Sequence, residues 1–394
     1  MRVTHVITRL IVGGAQENTV SSVLGLLDYP DYEVELISGP TPLDQPEGSI
    51  QHLVEKRPGF LKIVPELVRP ISPLKDLTAL AKLRRHFEET RPDIVHTHSG
   101  KAGLLGRLAA RIVGVPHIIH TIHGPSFGPF QGAIANLSFR MAEKTAGAFT
   151  DRFIGVAEAM CLQYQSAGIG SPECYEKVFS GFEMSAFLEA KNDPTVRARW
   201  GLSPDDFVIG KIGRLFELKG HDDLFAAAPA VLRENPRAKL LLVGGGEWRN
   251  RFERLARELG IEDRVVFTGL VRPEEVASLI GIMDVVVHLS RREGLPRVLP
   301  QALAAGKPIV AMDSDGAREV CLDGETGFLI KIGAVNDLVE RLNRLAADAS
   351  LRSAMGRRGR QFVEDEFTVE TMVKRIDAIY RRISDSQPSV QAIR

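Results

Sequence analysis

Short apolar runs alternate with helix-period segments along almost the whole chain. Residues 3–7 precede a segment carrying Val20, Val23, Leu24 and Leu27 on one helical face, and residues 93–98 precede another carrying Leu105, Leu108 and Ile112. This alternation predicts βαβ units, whose parallel strands are buried on both faces and so read as continuous apolar runs. Further strands are predicted at 33–38, 117–122, 152–156 and 177–179. Residues 190–206, with Pro194, Gly201 and Pro204 among charges, read as a linker plus a short helix. A second set of strands follows at 207–212, 239–243, 264–268, 284–288, 308–311 and 328–330. The fold class is therefore α/β, with two Rossmann-like, doubly wound parallel-sheet domains facing a central cleft. The first is expected over 1–188 and the second over 189–367.

Composition narrows the partners. At 394 residues the chain exceeds one comfortable core, and 44% hydrophobic with 25% charged residues is the balance of an ordinary globular protein. A formal net charge of +0 provides no global field to draw nucleic acid, so attraction to anionic surfaces has to be local. Cys161, Cys174 and Cys321 have no metal-type spacing and read as free thiols of a reducing compartment, by default the cytoplasm. Neither a signal-peptide pattern nor a membrane-spanning apolar stretch is present, which leaves peripheral contact at the inner face of the membrane.

Ligands of parallel α/β domains bind beyond the carboxyl ends of the strands, so the loops there carry the candidate chemistry. Gly13-Gly14-Ala15-Gln16 opens a helix whose free N–H groups suit a phosphate, or is simply a tight turn. Neither it nor Gly244-Gly245-Gly246 has dinucleotide-binding spacing, which argues against an NAD enzyme. Gly213-Arg214 ends a strand and Lys219 follows five residues later. Two such cations can neutralise a diphosphate leaving group, while surface ion pairs with Glu217 or Asp222 are the plain alternative. In 290–308, Glu293 can accept bonds from sugar hydroxyls, Gly294 permits close backbone approach, and Pro296 suits a helix start.

Histidines gather at two strand ends, His96-Thr97-His98 with Lys101, and His120-Thr121-Ile122-His123. His96 and His98 share a strand face and could ligate a metal, though satisfied strand-end histidines explain them as well. Asp313-Ser314-Asp315 has the look of a metal clamp, but Arg214 and Lys219 already supply positive charge, so no metal is expected. A basic run from Lys56 through Lys62, Arg69, Lys75, Arg84, Arg85 and Arg111 reads as a solvated face or a contact for anionic headgroups. Phe130, Ile134, Leu137 and Met141 form a helical stripe that suits either the core or a lipid-linked acceptor.

Taken together, the Gly-Gly loop, His123-Gly124, Gly213-Arg214 with Lys219, and Glu293-Gly294-Leu295-Pro296 resemble glycosyltransferase family 4, and the stretches 67–77, 91–116 and 120–124 resemble its capsule and exopolysaccharide branch. The resemblance spans nearly the whole chain and implies a GT-B fold whose last helix, about 368–385, packs back on the first domain. It implies retaining transfer of a sugar from a nucleoside-diphosphate donor, UDP-linked by expectation, with no cofactor and no metal. The acceptor would be a saccharide or lipid-linked hydroxyl in cell-surface polysaccharide or glycolipid synthesis.

Under that resemblance Arg214, Lys219, Glu293 and His123 are the catalytic group. Gly13, Gly14, Gly213, Gly244, Gly294, Leu295 and Gln301 line the donor and its phosphates, and His98 and Lys101 lie on the acceptor side. The family's second glutamate, which binds ribose, is Gln301 here; its neutral amide weakens those bonds by about 1 kcal/mol, and a solvated position on the helix expected over 297–305 is the plain alternative. Two alternatives stay open on the residues: a nucleotide-sugar epimerase or hydrolase of the same fold, and a noncatalytic nucleotide-sugar-binding protein.

Overall fold

Two all-parallel sheets organise the chain, described here by a computed structural model for residues 1–41, 50–55, 57–128 and 131–385. The first contains β1 (Arg2–Ile7), β2 (Glu33–Ser38), β3 (Leu61–Ile63), β4 (Ile94–His98), β5 (His117–Ile122), β6 (Arg152–Gly155) and β7 (Tyr175–Lys177), in the order β3-β2-β1-β4-β5-β6-β7. The second contains β8 (Phe207–Ile212), β9 (Ala238–Val243), β10 (Val265–Gly269), β11 (Val285–His288), β12 (Ile309–Met312) and β13 (Gly327–Ile330), in the order β10-β9-β8-β11-β12-β13. Each order reverses direction once, between β1 and β4 and between β8 and β11. At such a switch point the flanking connections leave to opposite sides and open a crevice at the strand ends.

One compact unit comprises Met1–Phe182 with the residues from Phe367 on, and the other Glu183–Glu366. The first break falls at Phe182/Glu183 rather than the expected 188/189. The Phe182 N–H donates to the Phe367 carbonyl at 3.1 Å, which fixes where the chain leaves and re-enters the first unit. In that unit, β1 sends Val3 and Ile7 to one sheet face with Val20, Val23, Met372, Ile376 and Ile379, while Val6 joins Ile37, Leu83, Phe87 and Ala109 on the other. The final helix, Val369–Asp385, thus covers the face that also carries His5. In the second unit Ile209, Leu240, Leu242, Val285 and Val287 pack with Phe225 and Phe252. Each fully buried side chain of this size contributes about 1.5–3 kcal/mol.

One strand is added and two expectations are corrected. The added strand, β3, lies in the basic run, where Lys62 interrupts an apolar pattern. The strand expected at 177–179 lies two residues earlier, because Phe179 leaves the sheet edge to stack on Phe367 with ring centroids 4.5 Å apart. The segment 190–206 is an anchored part of the second unit and no linker. Its Arg197, 2% exposed, donates to the carbonyls of Ser203, Asp206 and Ile282 and to the Asp284 carboxylate.

Candidate active site

At the switch point of the second sheet, β8 and β11 end beside each other and their following loops enclose a cavity of about 270 Å³. Lys211, Gly213, Arg214, Lys219, His288, Glu293 and Arg297 line it. The Lys219 ammonium donates to Glu293 Oε2 at 3.0 Å. His288 Nε2 lies 3.3 Å from the same oxygen, off the line of a hydrogen bond. The three residues on which the sequence reading most depended, Arg214, Lys219 and Glu293, are thus gathered around one hollow.

Local backbone geometry aims these groups. Leu218 takes a left-handed conformation, φ 67°, and its carbonyl accepts the Arg291 N–H at 2.8 Å and the Ser290 hydroxyl at 3.3 Å. Such a non-glycine conformation persists where surrounding bonds over-determine it, and here it turns Lys219 toward Glu293. Gly220, φ 67°, passes so close to β11 that a Cβ would stand 1.9 Å from the Leu289 carbonyl oxygen. On the opposite wall the Glu293 N–H donates to Asp315 Oδ2 at 2.7 Å, the Gly316 N–H to the Gly294 carbonyl at 3.0 Å, and the Ser314 hydroxyl to the Ser290 carbonyl at 2.6 Å. The Asp313-Ser314-Asp315 segment therefore braces the Glu293 loop, while Asp313 is held by Arg318.

The electrostatics of the pocket favour an anion. Burial, then the neighbouring Lys219 charge, lowers the Lys211 pKa to about 7; Lys211 is only 2% exposed. Burial disfavours the Glu293 carboxylate, but His288 and Lys219 outweigh it and hold its pKa well below the carboxylate range. Burial also lowers the His288 pKa, so near neutral pH the charge acting on Glu293 is that of Lys219 rather than of His288. Lys211 and His288 were not among the expected site residues. The available signal was a polar residue in a parallel strand that should be apolar throughout, FVIGKI and VVVH.

Other expected residues fall close by. Arg214 is exposed, its guanidinium 5.5 Å from the Phe216 ring centre. Gly244 backs the same loop, with room for no Cβ because the Gly213 carbonyl oxygen would be 2.3 Å away. Gly294 and Leu295 follow Glu293, and Gln301 is half-buried in the short helix Val298–Ala304. That helix has only seven residues, so its dipole adds little beyond local N–H groups.

The first unit carries the remaining residues. Gly13 and Gly14 begin the helix Gly14–Leu26. Lys101 does not reach freely into solvent: it donates to Asp76 at 2.6 Å and to the Pro70 carbonyl. His98 is 1% exposed with Nε2 3.0 Å from His5 and Nδ1 3.2 Å from His123, so it supports His123 instead of facing an acceptor itself. His123 keeps some solvent contact, yet the surrounding protein lowers its pKa to about 3. His96 bonds to Tyr380 and Thr121, and His120 to Thr97.

A second cavity of about 680 Å³ lies at the strand ends of this unit, with Arg9, Gln16, Arg69, Ser99 and Lys101 among its polar lining and Ile71, Leu104 and Phe139 among its apolar lining. Ile134, Leu137 and Met141 are exposed, by 85%, 61% and 53%, so that stripe is surface and not core; Phe130 lies outside the described residues. Much of the basic run is paired, Lys62 with His86, Arg84 with Glu88 and Arg85 with Glu89, as a solvated face would be; Lys56 lies outside the described residues. Among the described residues no helix is long and apolar enough to cross a membrane.

Comparison with known proteins agrees with this architecture. A family model described as "Glycosyl transferases group 1" matches residues 192–362, and one described as "Glycosyl transferase 4-like domain" matches 14–173. A "UDP-Gal:alpha-D-GlcNAc-diphosphoundecaprenol alpha-1,3-galactosyltransferase" of Escherichia coli is 27% identical over 392 residues, covering 96% of this chain and 95% of that protein. A "GDP-mannose-dependent alpha-(1-6)-phosphatidylinositol monomannoside mannosyltransferase" of Mycolicibacterium smegmatis is 32% identical over 317 residues, 77% of this chain and 80% of that one. The solved structure of Anabaena Alr3699/HepE in complex with UDP has the same fold, with a TM-score of 0.81 at 23% identity over 97% of this chain and 100% of its own. Two switch-point sites on two parallel sheets, both domain matches and a relative at this identity lead to one conclusion: the chain is a glycosyltransferase of family 4, with the GT-B fold.

Proposed function

We propose that this glycosyltransferase moves a sugar from a UDP-linked donor to a hydroxyl of a lipid-linked or saccharide acceptor, with retention at the anomeric carbon. The observation that carries the reading is the cavity at β8 and β11, where Lys211, Arg214 and Lys219 meet a single ionised carboxylate, Glu293. Arg214, Lys219 and Arg297, joined by Lys211 below about pH 7, leave a positive surplus over the one carboxylate for a diphosphate, and the surplus matters most as the anomeric C–O bond breaks and charge accumulates on the leaving phosphate. Glu293, held ionised, accepts bonds from the sugar hydroxyls. N–H groups at Gly294 and Leu295 add donors to phosphate, with Gly213 and Gly244 allowing close approach and Gln301 meeting the ribose.

In the transfer, the bond between the anomeric carbon and phosphate oxygen breaks and a bond to the acceptor oxygen forms on the same face. The acceptor proton passes to the departing phosphate. No cofactor enters this scheme, and Lys211, Arg214 and Lys219 supply the positive charge that a metal would otherwise bring. Within the first unit His123 offers a neutral imidazole to a substrate hydroxyl, and Lys101 steadies the acceptor side through Asp76. The exposed Ile134, Leu137 and Met141 near the apolar lining of the 680 Å³ cavity favour a lipid-linked acceptor met at a membrane surface, on the cytoplasmic side. The names of the relatives, one acting on a diphosphoundecaprenol-linked sugar and one on a phosphatidylinositol mannoside, support synthesis of cell-surface polysaccharide or glycolipid.

The test is nucleotide release from UDP- and GDP-sugars, with and without a membrane lipid extract and in the presence of a chelator. Release that depends on lipid, prefers UDP-sugars and survives chelation is expected. Equal release with and without lipid would remove the lipid-linked acceptor, and anomeric NMR of the product decides retention.

A further inference from the structure

Beneath His123 the first unit holds a continuous string of hydrogen-bonding side chains drawn from β1, β4, the end of β5 and the final helix. His123 Nε2 is 3.2 Å from His98 Nδ1, and His98 Nε2 is 3.0 Å from His5 Nδ1. His5 Nε2 is 3.3 Å from the Tyr380 hydroxyl, which is 2.5 Å from His96 Nδ1, and His96 Nε2 is 2.7 Å from Thr121 Oγ1. His5, His96, His98 and Tyr380 are all at most 1% exposed. Every ring nitrogen of the three buried histidines has one partner in the string. Burial disfavours the imidazolium of His5, His96 and His98, so each ring carries one proton on one nitrogen.

With one proton per ring, the bonds can run only one way or the other along the whole string. If His98 donates through Nε2 it must accept through Nδ1, and the choice passes to its neighbours. Tyr380 sets the direction. An O–H donor makes the shorter bond and a ring N–H the longer one, so the 2.5 Å contact is Tyr380 donating to His96 Nδ1, and the 3.3 Å contact is His5 Nε2–H donating to Tyr380. His5 Nδ1 then accepts from His98 Nε2–H, and His98 Nδ1 accepts from His123 Nε2–H. At the far end His96 Nε2–H donates to Thr121.

We propose that these six residues form a single one-way file of hydrogen bonds, and that it fixes His123 with its proton on Nε2 and its lone pair on Nδ1. His123 then meets a substrate hydroxyl as an acceptor and not as a donor. Tyr380 and His5 are positioning residues, acting on His123 through His98. The kinetic consequence, and only that, rests on the reading that His123 touches substrate. A metal at His5, His96 and His98, whose ligand atoms lie within 4.8 Å of one another, competes with the file because it takes the lone pairs that the file uses.

The test is long-range ¹H–¹⁵N correlation of histidine-labelled protein, which reports for each ring which nitrogen bears the proton. In the wild-type protein His123 and His98 are expected as Nε2–H tautomers. In Tyr380→Phe the His5 Nε2–H loses its acceptor. An orphaned buried donor is worse tolerated than an orphaned acceptor, so His5 shifts its proton to Nδ1 and the reversal passes through His98 to His123, two rings away. Turnover should fall about tenfold, the effect of one lost bond, with donor KM unchanged. A wild-type His123 bearing its proton on Nδ1 overturns the proposal, as does a His123 tautomer indifferent to Tyr380→Phe, or stoichiometric zinc held by the purified protein through these rings. The wild-type spectrum decides even where the variant folds poorly. A tautomer reversal with unchanged turnover sustains the file and removes His123 from the reaction.

Discussion

Replacing Lys211 by methionine should stabilise the second unit while weakening nucleotide binding, and both effects should depend on pH. The ammonium sits in a buried strand position, and its pKa falls from 10.5 to about 7. That gap corresponds to about 5 kcal/mol by which folding disfavours the charged form. Between pH 7 and 10.5 the unfolded chain binds the proton that the folded chain has released, so stability rises with pH across this window. Below pH 7 both states are protonated and the full penalty applies. Methionine has a similar shape and no charge, so its advantage over the wild type should be about 5 kcal/mol at pH 6 and about 2 kcal/mol at pH 9.

The assay is urea unfolding followed by tryptophan fluorescence, because both tryptophans, Trp200 and Trp248, belong to the second unit. Nucleoside-diphosphate affinity measured alongside at pH 6 should fall about 10- to 100-fold in the variant, the range for one bond to a charged group. A methionine advantage of the same size at pH 6 and pH 9 would refute the reasoning, since it would mean that Lys211 reaches water and is not desolvated. A stability gain with no loss of affinity would leave the buried charge real but remove it from the donor site.

Three further outcomes follow from the same geometry. Arg214→Ala should lower kcat/KM by on the order of 100-fold by leaving charge on the departing phosphate uncompensated, and steady-state kinetics showing no change would take Arg214 out of the mechanism. Gly220→Ala forces a side chain into left-handed backbone and to 1.9 Å from the Leu289 carbonyl oxygen, so the urea midpoint of the second unit should drop by the equivalent of at least about 2 kcal/mol, and an unchanged midpoint would show that the turn is not held against β11. Gln301→Glu should lower the donor KM about fivefold through charged bonds to ribose, whereas a raised or unaltered KM would detach this residue from the ribose.

The parts of the site that local sequence exposes are those built within one loop. Gly213-Arg214 with Lys219, and Glu293-Gly294-Leu295-Pro296, each follow a strand that the apolar pattern also marks, and parallel topology alone brings the two loops together at β8 and β11. Lys211 and His288 were legible only as exceptions, polar residues in strands whose burial on both faces should exclude them. A pattern that locates strands treats such residues as noise, although a costly charge in a core position is itself the signal.

The histidine file shows a different boundary. His5 and Tyr380 stand 375 positions apart, and no periodicity relates them. What joins them is that β1 places His5 on the same face as Val3 and Ile7, and that the final helix covers this face through Met372, Ile376 and Ile379. The resemblance supplied the return of that helix to the first domain but not the polar residue it carries inward. Tyr380 would read as one more apolar-face position of an amphipathic helix, because a phenol and a phenylalanine ring serve packing alike. Only the histidines beneath it give the hydroxyl a purpose, which is why replacing that one oxygen separates packing from tautomer control.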